Sequence, residues 1–233
     1  MIYEMRLYTV APGRLPDVHA RFADHLPSLF LRHGVQCVGR WSALAGPDSP
    51  RFVYLLAYRD YEHRESVWAS FYQDQDWWRV RAETNAGSEM VLRHDLYFLK
   101  PSAVWPEEAA SDEPFVGGLH ELVQQEIAPG QGANANRYVA EFWLPAMRGV
   151  GARVLGVFDM AAGAGMQKMV ILIAWPDVTT WYEGRKAIEL HAGLRAELDE
   201  QRQRLGQATI ERAEVNLLEP SPGTVHADLG RRE

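Results

Sequence analysis

The sequence predicts an α+β fold in which two βαββαβ repeats share one chain, their antiparallel sheets packed face to face as an α/β barrel with the helices outside. Three observations predict it: an internal repeat, alternating strand and helix periodicities in each half, and a composition able to bury a large core. Ile2-Tyr3-Glu4-Met5-Arg6-Leu7-Tyr8-Thr9-Val10-Ala11-Pro12-Gly13 aligns with Leu119-His120-Glu121-Leu122-Val123-Gln124-Gln125-Glu126-Ile127-Ala128-Pro129-Gly130, an offset of 117 residues. Nearly the same offset pairs His25-Leu26-Pro27 with Trp143-Leu144-Pro145, Gly34 and Gly39 with Gly151 and Gly156, and Ala57-Tyr58-Arg59-Asp60 with Ala174-Trp175-Pro176-Asp177. Leu99-Lys100-Pro101 closes the first half as Leu218-Glu219-Pro220 closes the second. Matches at the start, middle and end of each half mark a duplication.

Ile2 to Val10 is rich in β-branched and aromatic residues and reads as a strand, stopped by Pro12 and Gly13. Leu15, Val18, Phe22, Leu26, Leu29 and Phe30 then recur at helical spacing before Gly34, a C-terminal stop. Val35 to Leu44 and Phe52 to Tyr58 read as strands of a hairpin around Gly46-Pro47-Asp48-Ser49-Pro50. A helical pattern runs from Tyr61 to Arg81, and Met90 to Leu99 supplies the last strand. In the second half the elements fall near 118–127, 133–150, 152–160, 167–175, 178–204 and 208–218. Such a unit makes a four-stranded antiparallel sheet with both helices on one face, and two of them in one chain can cover each other's bare faces. The domain reading is a first repeat at 1–101, a linker at 102–116 with prolines and acidic residues, a second repeat at 117–220, and a disordered tail at 221–233.

The 233 residues, 47% hydrophobic and 24% charged with a net charge of −7, fit a soluble globular protein. At this length folding buries roughly 70–75% of the unfolded surface, so no metal or disulfide staple is required. Cys37 is alone and cannot form an internal disulfide, and MIYEMRLYTV lacks the charged start and apolar run of a signal peptide, so the cytoplasm is the expected compartment. No stretch approaches the roughly 20 apolar residues of a membrane helix. Lysine occurs only at Lys100, Lys168 and Lys186 while arginine, alanine and glycine abound, which suggests a GC-rich bacterial genome. An acidic chain also argues against a nucleic-acid partner. The expected partner is a small-molecule substrate, and the expected assembly is a monomer or homodimer.

The opening IYEMRLYTVAPG, then HLP, HGVQCVGRW and an AYRD strand end, resembles the NIPSNAP family of the ferredoxin-like, dimeric α/β-barrel superfamily. The resemblance covers most of residues 1–100 and, more weakly, 115–220, which implies a tandem NIPSNAP-like chain that builds the barrel from its own two halves. The second half departs from the pattern: Val123 replaces Arg6, Gln125 replaces Tyr8, and Trp143 stands in for His25, so the two halves need not hold equal sites. The superfamily includes cofactor-independent monooxygenases of polyketide biosynthesis, isomerases, haem-degrading oxygenases and haem proteins, so fold alone leaves the chemistry open. In such relatives a ligand sits between the sheet and the helices of one unit, which directs attention to that space.

Alternation along the first strand puts Glu4, Arg6 and Tyr8 on one side and Tyr3, Met5 and Leu7 on the other. Glu4 and Arg6 then form either an ion pair at the sheet–sheet interface, as the recurrence of Glu121 suggests, or a general base with a tuned pKa. His25 lies at helical spacing from Phe22 and Leu29, half-facing the sheet, where imidazole can exchange a proton near neutral pH or simply hydrogen-bond a neighbour. Tyr3 and Tyr58 are read as sending hydroxyls into the same space, with Tyr8, Trp41, Trp77 and Trp78 as aromatic walls or core. In the second half His120, Trp143 and Trp175 replace Tyr3, His25 and Tyr58, and Glu141, Arg153, Trp181, Tyr182, Arg185 and His191 are further candidates.

None of the eight histidines falls in a His-x-x-x-His or Glu-x-x-His pattern, so no metal site is predicted, although residues distant in sequence could still form one. No organic cofactor is predicted either. Haem stays open because His25, His94 or His191 could supply its single axial ligand. No dinucleotide fingerprint, P-loop or nucleophile elbow is present, and Gly163-Ala164-Gly165 is a hairpin turn. Two readings follow. One is a small bacterial enzyme of specialised metabolism that isomerises, cyclises or oxygenates a partly aromatic or unsaturated substrate, with His25 or Glu4 moving the proton and Tyr3 or Tyr58 holding an oxyanion. The other is a non-catalytic module that binds haem or a hydrophobic ligand, or docks a protein.

Overall fold

The computed structural model describes residues 1–105, 118–165 and 167–221. Most of the expected 102–116 linker and nearly all of the 221–233 tail lie outside these residues. The chain forms two compact units, one built on Met1–Lys100 and the other on Pro101–Met160 and Gly165–Leu218.

The first unit runs β1 (Ile2–Val10), α1 (Leu15–Ala20), α2 (Leu26–His33), β2 (Gln36–Ala45), β3 (Arg51–Tyr58), α3 (Tyr61–Gln73), α4 (Gln75–Asn85) and β4 (Val91–Pro101). Its strands pair antiparallel in the order β4-β1-β3-β2. The second runs β5 (Leu119–Ile127), α5 (Gly132–Tyr138), α6 (Leu144–Gly149), β6 (Arg153–Ala162), β7 (Lys168–Trp175), α7 (Val178–Glu189), α8 (Ala192–Leu205) and β8 (Ile210–Pro220), with the order β8-β5-β7-β6. Each is the βαββαβ unit that the periodicities predict.

The helices are more broken than periodicity suggests. The single pattern over 61–81 is two helices, because Asp74 turns extended, ends α3, and caps α4 by accepting the Asp76 N–H. His191 does the same between α7 and α8, its Nδ1 accepting the Leu194 N–H. The first helix of each unit carries a five-residue π-turn, Arg21–His25 and Val139–Trp143. Each precedes a Leu-Pro pair. Pro27 and Pro145 cannot donate to the carbonyl four residues back, and the Leu26 and Leu144 N–H groups reach back five residues to Arg21 and Val139. The Phe22 carbonyl, passed over by this wider turn, accepts from Arg40 of β2.

Residues paired across antiparallel strands share a face. Ile2, Glu4, Arg6 and Tyr8 therefore share a face with Tyr58, Leu56, Tyr54 and Phe52. Leu56, Tyr54 and Phe52 of that face pack with Phe22, Leu26, Leu29 and Phe30 of the first helix and Val67, Trp68 and Phe71 of α3 in one core cluster. Each such buried side chain contributes roughly 1.5–3 kcal/mol, so the helices are held firmly over Glu4 and Arg6. Among the described residues, no helix is long and apolar enough to cross a membrane.

Candidate functional site

Glu4 is fully buried, which demands partners for its charge, and it has two. Its Oε1 accepts from Arg6 Nε at 2.5 Å, and its Oε2 accepts from Arg64 Nε at 2.8 Å. Arg6 spends its Nη1 on two tyrosines, donating to Tyr54 Oη at 3.2 Å and Tyr8 Oη at 3.3 Å, and those two hydroxyls hydrogen-bond each other. The Arg6 guanidinium lies 4.0 Å from the centre of the Trp68 ring. Its Nη2 makes no hydrogen bond among the described residues.

Burial opposes the charge on Arg6, but Tyr54, Tyr8 and Glu4 together outweigh it and raise its pKa. Burial pushes the Tyr54 hydroxyl well above its ordinary value and also raises Tyr58, with Glu4 adding to the latter. The cluster thus holds a permanent cation beside the neutral phenols of Tyr54 and Tyr58. On the neighbouring strand β4, His94 pairs with Tyr8 and Leu96 with Arg6, and both are exposed, Leu96 by 38%. The His94 ring stands edge-on to Tyr8 with centroids 4.6 Å apart. Burial, then the positive charge of Arg6, lowers its pKa, so His94 is neutral at pH 7 and able to accept a proton.

Several sequence expectations change. The Glu4–Arg6 pair faces the helices rather than a sheet–sheet interface, as its bonds to Arg64 and Trp68 require. Both Glu4 oxygens are engaged by arginines, so its geometry is that of an anchor, not of a free base. Tyr3 pairs with Ala57 while Tyr58 pairs with Ile2, so the two tyrosines point to opposite faces and cannot share a pocket. Trp41 also lies on the face away from the helices, folded over Gly39. Trp77 packs into the core beside Phe71, whereas Trp78 is 49% exposed and rests on Tyr72. His25 ends the π-turn, half-buried, and its imidazole makes no hydrogen bond or ring contact with the Arg6 cluster.

In the second unit Glu121 is again fully buried on the helix-facing side, accepting from Trp175 Nε1 at 3.0 Å with Arg185 Nε at 3.4 Å. Val123 and Gln125 replace Arg6 and Tyr8 on that face, and Ile171 sits opposite Val123 where Tyr54 faces Arg6. His120 pairs with Ala174 and points to the other face, away from Glu121. Trp143 is buried at the end of its π-turn, and Trp181 is half-buried on α7.

Sequence reasoning missed Tyr54, Arg64, Trp68 and the placement of His94. The Ile2–Tyr58 register would have set Tyr54 against Arg6. Arg64 and Trp68, one turn apart on α3 after the Asp60 cap, were open to helical-spacing arguments. Among the described residues, no group of three or more metal-ligating side chains converges. Of the haem-ligand candidates, His191 uses Nδ1 as a cap, His94 stands edge-on to Tyr8, and His25 stands apart from both.

The NIPSNAP family model matches residues 3–106, which bears out the resemblance drawn from the opening strand. A NIPSNAP domain protein of Burkholderia xenovorans is 23% identical, with a TM-score of 0.40, over 46% of this chain and 99% of its own. A candidate monooxygenase of Fusobacterium nucleatum is 12% identical, with a TM-score of 0.56, over 94% of this chain and 92% of its own. An anthrone oxidase-like protein is also 12% identical, with a TM-score of 0.55, over 98% and 96%. No curated protein matches the chain. The two long likenesses show the fold class predicted from the sequence, α+β of the dimeric α/β-barrel type, and nothing of the chemistry.

Proposed function

We propose that the first unit is the active site of an oxygenase acting on small enolisable aromatic ketones. The observation that carries this reading is Arg6: a buried cation with an unoccupied Nη2, bonded to a tyrosine pair of which Tyr8 touches an exposed, neutral histidine, His94. Fixed donors of this kind stabilise an oxyanion as it forms, at no reorganisation cost. In the proposed reaction His94 takes a proton from the methylene carbon conjugated with the carbonyl through the aromatic rings, C10 of anthrone, and Arg6 with Tyr8 or Tyr54 holds the resulting enolate oxygen. Dioxygen then adds to the carbon, the proton returns to the peroxide, and loss of water leaves a second carbonyl. For anthrone this is anthrone plus O2 giving anthraquinone plus water, which balances. The likeness to proteins named as a candidate monooxygenase and as anthrone oxidase-like supports the choice of reaction class. Bacterial specialised metabolism is the setting such a substrate suits.

The test is oxygen uptake by the purified protein with anthrone in air-saturated buffer, corrected for spontaneous oxidation with heat-denatured protein. The proposal expects one O2 consumed per anthraquinone formed, with the rate lost in Arg6→Met and His94→Gln. Saturable anthrone binding with no uptake above the control would leave a ligand-binding module in its place. A rate indifferent to Arg6→Met would overturn the oxyanion role.

A further inference from the structure

We infer that the second unit holds a separate binding site for a neutral hydroxyl group carried on an apolar ring, formed between Glu121, Trp181 and a floor of Val123 and Ile171. The inference does not depend on the reaction proposed for the first unit. It starts from buried polar atoms left without partners. Glu121 is fully buried, yet its Oε1 accepts no hydrogen bond among the described residues, the Arg185 Nε at 3.4 Å being an ion-pair neighbour only. Trp181 Nε1 is also buried and unpartnered. Burying such groups unsatisfied is costly, and each calls for an explanation.

The first unit shows what is missing. Asp60 and Asp177 cap equivalent helices, so Trp181 occupies the turn of Arg64, the residue that reaches Glu4. Where Arg6 fills the space beside Glu4 with its own guanidinium, the second unit has Val123, and where Tyr54 closes over Arg6, it has Ile171. Both replacements are shorter and apolar. The strand guanidinium that serves Oε1 of Glu4 is gone, Trp175 serves only Oε2 of Glu121, and the adjoining helix carries an N–H donor without a partner. By the equivalence of Trp181 with Arg64, a single hydroxyl seated between helix and strand would satisfy both atoms, its O–H donating to Glu121 Oε1 and its oxygen accepting from Trp181 Nε1. The apolar floor excludes a charged group, and Arg185 repels a cation, so the ligand is a neutral phenol or aromatic alcohol.

The experiment is calorimetric titration with 2-naphthol and with 2-methoxynaphthalene, which keeps the ring and loses the O–H. It uses the wild-type chain, the Arg6→Met chain, which lacks the first unit's fixed donor and is checked for folding by circular dichroism because Glu4 then keeps only Arg64 as counter-charge, and the Trp181→Phe chain, which keeps the apolar ring and changes nothing in the first unit. The inference expects 2-naphthol to bind the Arg6→Met chain at least about tenfold more tightly than the ether. It expects Trp181→Phe to weaken 2-naphthol by about five- to tenfold, and Val123→Arg, which restores the internal donor, to abolish that binding. Equal affinity for the two probes overturns it. So does an absence of binding to the Trp181-intact protein up to about 1 mM, which would assign the unpartnered atoms to trapped water.

Discussion

Arg6 and Trp68 stack across the first unit, strand guanidinium on helix indole, and the second unit moves the cation to the helix: Arg185 stands at the place of Trp68, and an apolar Val123 on the strand at the place of Arg6. The buried glutamate beneath them is the shared element, served from the strand and from α3 in one unit and chiefly by Trp175 in the other. The fold therefore demands a buried carboxylate at this place but tolerates several ways of neutralising it.

Glu4→Gln should be strongly destabilising. It leaves Arg6, itself buried, with no counter-charge. Breaking a buried pair from one side costs about 3–5 kcal/mol, a fall in Tm on the order of 10 °C for a chain of this size. Urea denaturation measures it, and a loss below about 1 kcal/mol would mean that the pair behaves like an exposed one.

His94→Gln should lower turnover of an active substrate by about 10²–10⁴-fold with little change in Tm, because His94 is exposed. His25→Ala, by contrast, should leave turnover unchanged. In the wild-type protein the acid limb of the rate profile should lie below the ordinary histidine pKa of 6.5, because burial and Arg6 disfavour the imidazolium. An NMR titration of His94 should show that pKa rising in Arg6→Met.

Asp74 predicts an acid-sensitive joint. The His33 hydrogen bond, then the Asp76 N–H and Arg32, lower its pKa from 3.8 to about 2. A carboxylate depressed on folding contributes stability that is complete above its unfolded pKa and is lost as pH falls through the folded one. Asp74→Asn should therefore lower Tm at pH 7, and the gap from wild type should close between pH 4 and pH 2. A gap that persists at pH 2 would place the effect in helix capping alone.

Gly39→Ala should destabilise the first unit. A Cβ built at Gly39 would lie 2.2 Å from the Trp41 ring, which is buried and cannot retreat freely. Overpacking of this kind costs about 1–3 kcal/mol. The tryptophan emission should change with it, and unaltered emission with unaltered stability would show that the ring moves aside.

Much of the fold could be read directly from the chain. The repeat and the change of period from two to helical spacing placed every strand to within a residue or two, and the alternation of Glu4, Arg6 and Tyr8 picked out the strand face on which the site is built. What periodicity could not carry was direction across space. It grouped Tyr3 with Tyr58 because both are aromatic and near strand ends, while the register separates them onto opposite faces. It gave His25 a role because of its spacing, but the π-turn rotates the helix there, and the histidine that meets Tyr8 of the Arg6 cluster comes from β4, far along the chain. Interruptions at Asp74 and His191 were hidden for a similar reason: both are polar cap residues inside stretches whose apolar spacing continues on either side.

The internal duplication has a consequence for how such a protein can change. An assembly of two identical subunits is bound by symmetry, since any substitution appears in both copies and must be tolerated by both. Joining the copies in one polypeptide lifts that bond. Val123, Ile171 and Trp181 could arise beside one glutamate while Arg6, Tyr54 and Arg64 were kept beside the other. In a symmetric pair, either set would have appeared beside both glutamates at once.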